Sequence, residues 1–371
     1  MPDIVKLHTM DHKGRLQRLQ QGLRQRRFDT LLVNHPPNVR YLCGFTGSAG
    51  AMAVSQKGAI FFTDGRYIAQ AKEQSQGARV VIARRPPLVA AAERLAKTHK
   101  DGTKTHVLGI EAEHMSVASR TRLSATLPKS FRFKEAPPLV EQSRMTKDAE
   151  EIDLIRRAVL LGAGLFDTIL ETIRLGIRES DVAAEMEYAA RRAGAEGMSF
   201  ETIIAAGQRS ALPHGRASNK PIGEGFVVCD FGVILAGYCS DMTRTLYVGR
   251  PTADARLFYQ AVWEAQQAGI EAVRPGATVG EVDRAARNTL EKAGLARYFT
   301  HSTGHGVGLE IHEAPRVAAA QPQTLQPGMV ITIEPGAYVP GRWGVRIEDM
   351  VVVTDSGCEV LTPTTKELIT I

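Results

Sequence analysis

Part of this chain repeats at an offset of 100 residues, and a duplicated unit restricts the folds open to it. Glu171 matches Glu271, Arg174 matches Arg274, Gly176 matches Gly276, Val182 matches Val282, and Ala193-Gly194 matches Ala293-Gly294. Each copy reads as the end of one helix, a turn and an amphipathic helix, and the second begins with a capping box at Thr278 and Glu281. A hairpin-like segment follows each copy, GFVVCDFGVILAGYCSDMTRTLYVG after the first and VITIEPGAYVPGRWGVRIEDMVVV after the second. Two helix-plus-hairpin units are expected to sit about a pseudo-twofold axis.

Each hairpin carries a symmetric pair of acids. Asp230 and Asp241 are equidistant from a turn centred on Leu235 and Ala236, and Glu334 and Glu348 are equidistant from Gly341. Folded back without a bulge, each pair is directly opposed on one face, with Cβ atoms roughly 4.5–5.5 Å apart. Like charges so placed destabilise a ladder unless a cation lies between them. Four such carboxylates with one imidazole form a site for two hard divalent ions. Either pair alone is explained as well by acids that point at water; both pairs in one chain favour the metal.

Imidazoles are available in HSTGHGVGLEIHEAP, where His301, His305 and His312 sit around Gly304, Gly306 and Gly308 in a stretch too glycine-rich for a stable helix. A fourth candidate, His214, lies in the polar loop SALPHGRAS, where a lone histidine is ordinarily a surface residue.

The ordered set PHG at His214, CDFG at Asp230, SDMTRT at Asp241, HSTGHGVGLEIHE, TIEPG at Glu334 and GVRIED at Glu348 resembles the creatinase/aminopeptidase P/prolidase family of pita-bread metallopeptidases. VNHPPNVRYLCGFTGSAG and FTDGRYIAQA resemble the amino-terminal domain of Xaa-Pro aminopeptidases, so the resemblance spans nearly the whole chain. It implies an α/β (α+β) fold with a mixed-sheet creatinase-like domain and a pita-bread domain. It also implies five metal ligands: Asp241 and Glu348 bridging two ions, Asp230 completing one, and His305 with Glu334 completing the other. Glu334 would also act as the base, His214 and His312 would stabilise the transition state and position the substrate, and His301 would shape the proline-side pocket. Arg346, two residues before Glu348, shares its strand face and would orient the carboxylates. Mn²⁺ suits a carboxylate-rich set, with Co²⁺, Fe²⁺ or Zn²⁺ as alternatives. Paired divalent ions lower the pKa of water and so supply a nucleophile for an amide carbonyl.

The rest of the chain is compatible with a two-domain enzyme. At 371 residues, 43% hydrophobic and 23% charged, it has ordinary globular composition and exceeds what one core usually organises. Residues 1–145 hold 24 Lys or Arg against 11 Asp or Glu, and residues 146–371 hold 22 against 29, a net +13 and −7 within the total of +6. The charge changes sign near a stretch from Lys134 to Arg144, with Pro137 and Pro138, that reads as a linker. The expected domains are therefore 1–144 and 145–371, the second opening with a helix whose apolar face holds Ile152, Ile155 and Val159. Leu16, Leu19 and Leu23 give the basic stretch Lys13–Arg27 a buried stripe, with the cations as its solvated face rather than an arm for nucleic acid or membrane. No signal-peptide core or membrane-length apolar run is evident, and Asp3 and Asp11 disfavour a transit peptide, so a cytoplasmic location is expected. Cys43, Cys229, Cys239 and Cys358 read as reduced thiols.

Other mechanisms fit poorly. His312-Glu313 lacks the second histidine of HExxH, Thr46 stands where a GxSxG elbow needs glycine, and GHGVGLE does not complete GxGxxG. Within the resemblance, GFTGSAG and TDGRY favour an Xaa-Pro aminopeptidase acting on peptides with proline second. Arg316 in IHEAPR, a partner for a dipeptide carboxylate, supports the alternative of an Xaa-Pro dipeptidase. A non-catalytic binding protein on the same fold is the remote alternative, disfavoured by the complete ligand set. A homodimer is expected from the family.

Overall fold

The apolar runs of the amino-terminal part become one mixed sheet. The structure is a computed structural model that describes residues 10–99 and 104–371; Asp3, used above against a transit peptide, lies outside the described residues. The chain parts into two compact units between Arg144 and Met145.

In the first unit, β1 (Thr30–Val33), β2 (Gly50–Ser55), β3 (Gly58–Asp64), β4 (Arg79–Ala83), β5 (His106–Ile110) and β6 (Phe131–Glu135) lie in the order β4-β3-β2-β1-β5-β6. β2 is antiparallel to β1 and β3, and the remaining neighbours are parallel. Every residue of β1 is buried, as expected for a central strand covered on both faces. The helices are α1 (His12–Gln25), α2 (Pro36–Cys43), α3 (Ile68–Gln74), α4 (Pro87–Thr98), α5 (Val117–Thr126) and α6 (Leu139–Arg144). Ala91, Ala92 and Leu95 of α4 with Leu123 of α5 cluster with Leu32, Phe62 and Leu108 of the sheet. Each large side chain so buried contributes about 1.5–3 kcal/mol.

Two sequence expectations change here. The stretch from Lys134 to Arg144 is not a linker: Lys134 and Glu135 end β6, and α6 starts just after Pro138, with the Gln142 amide donating to the Pro138 carbonyl. Its Leu139 and Val140 are buried, so apolar contact overrides the punctuation of the two prolines. In α1, Leu16, Leu19 and Leu23 are buried as expected and Lys13, Arg18 and Arg24 are exposed. Arg15 is instead buried, with its guanidinium 4.2 Å from the Tyr41 ring centroid and donating to the Tyr41 carbonyl.

The second unit carries the repeat. α7 (Ala149–Thr172) begins with a capping box of Asp148 and Glu151 and is followed by α8 (Glu179–Arg192). α9 (Ala253–Ala272) and α10 (Val279–Lys292), the latter capped by Thr278 and Glu281, are their counterparts. α8 and α10 share the offset of 100 at both ends, and the turns before them use Gly176 and Gly276, each at φ +85°. That conformation favours glycine, which explains why these two positions match.

Between the helix pairs lie β7 (Gly197–Met198), β8 (Ile203–Ala206), β9 (Gly225–Phe231), β10 (Val233–Leu235), β11 (Tyr238–Cys239) and β12 (Met242–Val248). After α10 come β13 (Gly304–Gly306), β14 (Glu313–Val317), β15 (Val330–Ile333), β16 (Gly336–Val339), β17 (Trp343–Arg346), β18 (Asp349–Val353) and β19 (Cys358–Val360). The order β8-β9-β12 in the first copy is mirrored by β13-β15-β18 in the second. Phe166 and Ile169 of α7 and Val182 and Met186 of α8 pack on Val227, Phe231 and Leu246. Val279 and Val282 of α10 pack on Ile331, Ile333, Val351 and Val353. The four cysteines are free thiols, and no helix among the described residues is long and apolar enough to cross a membrane.

Candidate metal centre

The first acid pair is not directly opposed. β9 and β12 pair with Asp230 opposite Thr243 and Phe231 opposite Met242, and the inner strands continue that register with Ile234 opposite Cys239. The turn is Ala236-Gly237, with φ +48° and +79°, the two left-handed residues of a type I′ hairpin. Its centre lies one residue beyond the expected one, so the partner of Asp230 moves by two. A shift of two preserves the face, so Asp230 and Asp241 still line one cavity, as diagonal neighbours rather than a facing pair.

The second pair keeps its register. Ile333 opposes Asp349 on one side, and Gly336 opposes Arg346 on the other, both symmetric about Gly341 at φ +73°. Glu334 and Glu348 occupy the matching positions in the gap between these ladders. There the backbone finds other partners, the Glu334 amide donating to Thr303 (2.8 Å) and the Glu348 amide to Thr243 (3.1 Å). The second contact joins the hairpin of one copy to that of the other.

All ten candidate residues, His214, Asp230, Asp241, His301, His305, His312, Arg316, Glu334, Arg346 and Glu348, line one cavity of about 790 Å³. Asp230, Asp241, Glu348 and Arg346 are buried; His301, His305 and Glu334 are half-buried; His214, His312 and Arg316 are exposed. His305 Nε2 lies 3.6 Å from Asp241 Oδ2 and 3.4 Å from Glu334 Oε1. Its Nδ1 lies 3.0 Å from the Gly306 carbonyl, which places the proton on Nδ1 and turns the Nε2 lone pair toward the acids. Gly304, which precedes it, has no room for a side chain: a Cβ would stand 1.9 Å from the Thr332 carbonyl oxygen.

The electrostatics are those of an anion cluster. Burial, and then the charges of Glu348, Asp230 and Glu334, raise Asp241 well above the usual carboxylate range. Burial, and then Glu334 and Asp230, do the same to Glu348. Burial pushes Glu334 up to about 7, with Arg346 pulling it down and Asp230 adding to the rise. The same burial lowers His305 and His312, and brings His301 down to about 4. Asp230 Oδ1, Asp241 Oδ1 and Glu348 Oε1 are buried without a hydrogen-bond partner in the protein. Three orphaned carboxylate oxygens suit a divalent cation well and suit a dry protein poorly. Among the described residues, Asp241, His305 and Glu348 form a group of three whose ligand atoms all lie within 4.8 Å of one another.

Arg346 donates to Asp230 Oδ2, to Thr243 Oγ1 (3.1 Å), to Tyr338 Oη (2.7 Å) and to the Pro213 carbonyl (3.0 Å). Several supporting residues were not anticipated. Thr243 Oγ1 donates to Glu348 Oε2 at 2.8 Å, Thr332 Oγ1 donates to Glu334 Oε1 at 3.3 Å, and Tyr338 Oη lies 3.0 Å from His301 Nε2. Alternation could have found all three, since Thr243 is two residues from Asp241, Thr332 two from Glu334 and Tyr338 four from Glu334, at even spacings. Phe200, Glu201, Ile203 and Glu313 also line the cavity and carried no sequence signal.

A buried carboxylate–imidazole cluster between the hairpins of a duplicated unit defines a metallohydrolase built for divalent ions. The chain belongs to metallopeptidase family M24, whose model matches residues 153–355, and residues 15–146 match the creatinase/prolidase N-terminal domain. An Xaa-Pro dipeptidase of Pyrococcus furiosus is 37% identical over 96% of this chain and 100% of its own length. Among solved structures, an Xaa-Pro dipeptidase from Bacillus anthracis superposes with a TM-score of 0.91 at 39% identity, covering 97% of this chain and 100% of that one. An X-Pro aminopeptidase from Thermotoga maritima superposes at 0.85 and 34%, covering 94% and 99%. The fold is thus the creatinase-like domain followed by the pita-bread domain, and the protein is a metallopeptidase.

Proposed function

We propose that this metallopeptidase is an Xaa-Pro dipeptidase that hydrolyses the bond before proline with two divalent ions, Mn²⁺ foremost. The observation that carries the dipeptide reading is Arg316, an exposed cation lining the same cavity as the carboxylate cluster. A dipeptide places its terminal carboxylate one residue beyond the scissile bond, within reach of such a group. The names of the relatives support the same choice over the aminopeptidase that GFTGSAG and TDGRY favoured. The aminopeptidase stays as the second reading, supported by the Thermotoga maritima structure.

In this reading Asp230, Asp241, His305, Glu334 and Glu348 would together hold the two ions. Bound there, the ions would polarise the scissile carbonyl and bring the pKa of water toward neutrality. Glu334, whose proton affinity lies near neutral pH in the metal-free protein, takes the proton of the attacking water and returns it to the proline nitrogen. His312 and His214, exposed in the cavity, stabilise the charge that develops on the carbonyl oxygen and hold the substrate. Tyr338 bridges His301 and Arg346, so the imidazole proposed for the proline pocket is fixed from behind. A homodimer in the cytoplasm is the assembly and location we infer from the family.

The deciding assay compares an Xaa-Pro dipeptide with an Xaa-Pro-Xaa tripeptide in the presence of Mn²⁺. Preference for the dipeptide is expected. Preference for the tripeptide returns the function to aminopeptidase, and cleavage of neither rejects both.

A further inference from the structure

The loop that carries His312 is held by a buried ion pair outside the ligand set. Lys147 Nζ lies 3.1 Å from Glu313 Oε2, and their side chains are 1% and 6% exposed. Glu313 directly follows His312 in the chain. Its Oε1 accepts from the Glu310 amide at 3.1 Å, and its carboxylate lies against Gly308, where a Cβ would stand 2.7–2.9 Å from the carboxylate atoms. The Gly308 carbonyl in turn accepts from the Cys239 amide at 2.8 Å. Glu313 thus gathers residues 308–313 around one carboxylate, and Lys147 fixes that carboxylate to the start of the unit.

Lys147 is itself anchored. Its amide donates to the Gly328 carbonyl at 2.9 Å, and Thr146 bridges Met329, next to β15 and therefore on the segment that leads to Glu334. Glu151, four residues on, accepts from Tyr238 Oη at 2.9 Å, tying α7 to the hairpin that precedes Asp241. The His312 ring is exposed and meets the His305 ring edge-on, with centroids 4.4 Å apart. An exposed ring has few packing contacts to fix it, so the anchoring of its neighbour's side chain sets its place.

We propose that Lys147 and Glu313 are positioning residues that set His312 over the substrate cavity; this rests on the role given to His312 above. Removing one member of a buried pair leaves an uncompensated charge and frees the loop, and a displacement near 1 Å costs on the order of 100-fold in rate.

The test uses Lys147→Met, Glu313→Gln and Lys147→Arg in the full-length chain. On an Xaa-Pro dipeptide with Mn²⁺, the first two should lose roughly 10- to 100-fold in kcat with KM within about threefold and metal content unchanged. Lys147→Arg should restore most of the rate. In a His312→Ala background, Lys147→Met should cost less than about twofold, because contributions made through one group do not add. Independently of activity, the ¹⁵N-imidazole NMR signal of His312 in the metal-free protein should move in both single variants. Wild-type kcat in the single variants, full additivity with His312→Ala, or an unmoved imidazole signal overturns the proposal. Should either single variant fail to fold, Glu313→Asp keeps the charge but draws the carboxylate back, and a wild-type rate there overturns it equally. A wild-type protein inactive on every Xaa-Pro peptide defeats the proposed function instead, while the NMR signal still reports whether the ion pair places the ring.

Discussion

Arg346 and Asp230 form a buried charged hydrogen bond at the back of the carboxylate cluster. The guanidinium holds one oxygen of Asp230 and leaves the other, Oδ1, buried without a hydrogen-bond partner in the protein. Its remaining donors reach Thr243, Tyr338 and Pro213. A planar fork with several directed donors does this, and an ammonium does not. Arg346→Lys is therefore expected to lower metal affinity or turnover by about 10- to 100-fold despite keeping the charge. Calorimetric metal titration and steady-state rates check it; values within twofold of wild type would show that Arg346 supplies charge alone.

Glu348→Ala and His312→Ala should separate metal assembly from catalysis. Loss of Glu348 removes a proposed ligand whose Oε1 has no hydrogen-bond partner in the protein, so metal content and activity should both fall. Loss of His312 should reduce turnover on the order of 10²- to 10³-fold with metal content near wild type. Metal stoichiometry and turnover for both variants decide the matter. Metal lost from His312→Ala and retained by Glu348→Ala would reverse the assigned roles.

The pH dependence of the metal-free protein has a definite sign. Glu334 rises from its ordinary 4.5 to about 7, mainly through burial. Its favourable contribution is complete below about pH 4.5 and is lost as pH rises through about 7, because the fold holds the proton longer than the unfolded chain. The histidines with lowered values act in the opposite direction, so the comparison must isolate Glu334. Between pH 4.5 and 7 the chelated Glu334→Gln variant should gain in melting temperature relative to chelated wild type. Thermal melts across that range test it, and a constant difference between the two proteins would exclude the shift.

Arg316→Met should weaken binding of a dipeptide selectively. A hydrogen bond to a charged group contributes about 1.5–3 kcal/mol, so KM should rise on the order of 10- to 100-fold with little change in kcat. A tripeptide, whose carboxylate lies one residue farther out, should lose much less. Equal losses on both substrates would mean that Arg316 does not read the terminal carboxylate.

How much of this was legible depended on whether the signal was local. α8 and α10 could be aligned from the sequence because their turns need glycine at Gly176 and Gly276. The Glu334–Glu348 register was readable because Gly341 takes the left-handed conformation at the centre of its turn. The Asp230–Asp241 register was not, because Ala236 adopts φ +48°, which alanine seldom does, and nothing local marks that choice. Helical periodicity puts Arg15 among the solvated cations, since only the fold brings Tyr41 beneath it. Lys147 and Glu313, 166 residues apart, carry no spacing or motif that would pair them. Their contact arises from tertiary packing.

The duplication has a consequence for how such a centre could arise. The first copy contributes Asp230 and Asp241, the second His305, Glu334 and Glu348, and the backbone contact from Glu348 to Thr243 joins the two. Neither half owns the complete set of proposed ligands. An ancestral unit holding a single copy would therefore have captured its ions only as a pair of molecules. Fusion would then have let the two copies diverge, one carrying two aspartates and the other an imidazole and two glutamates.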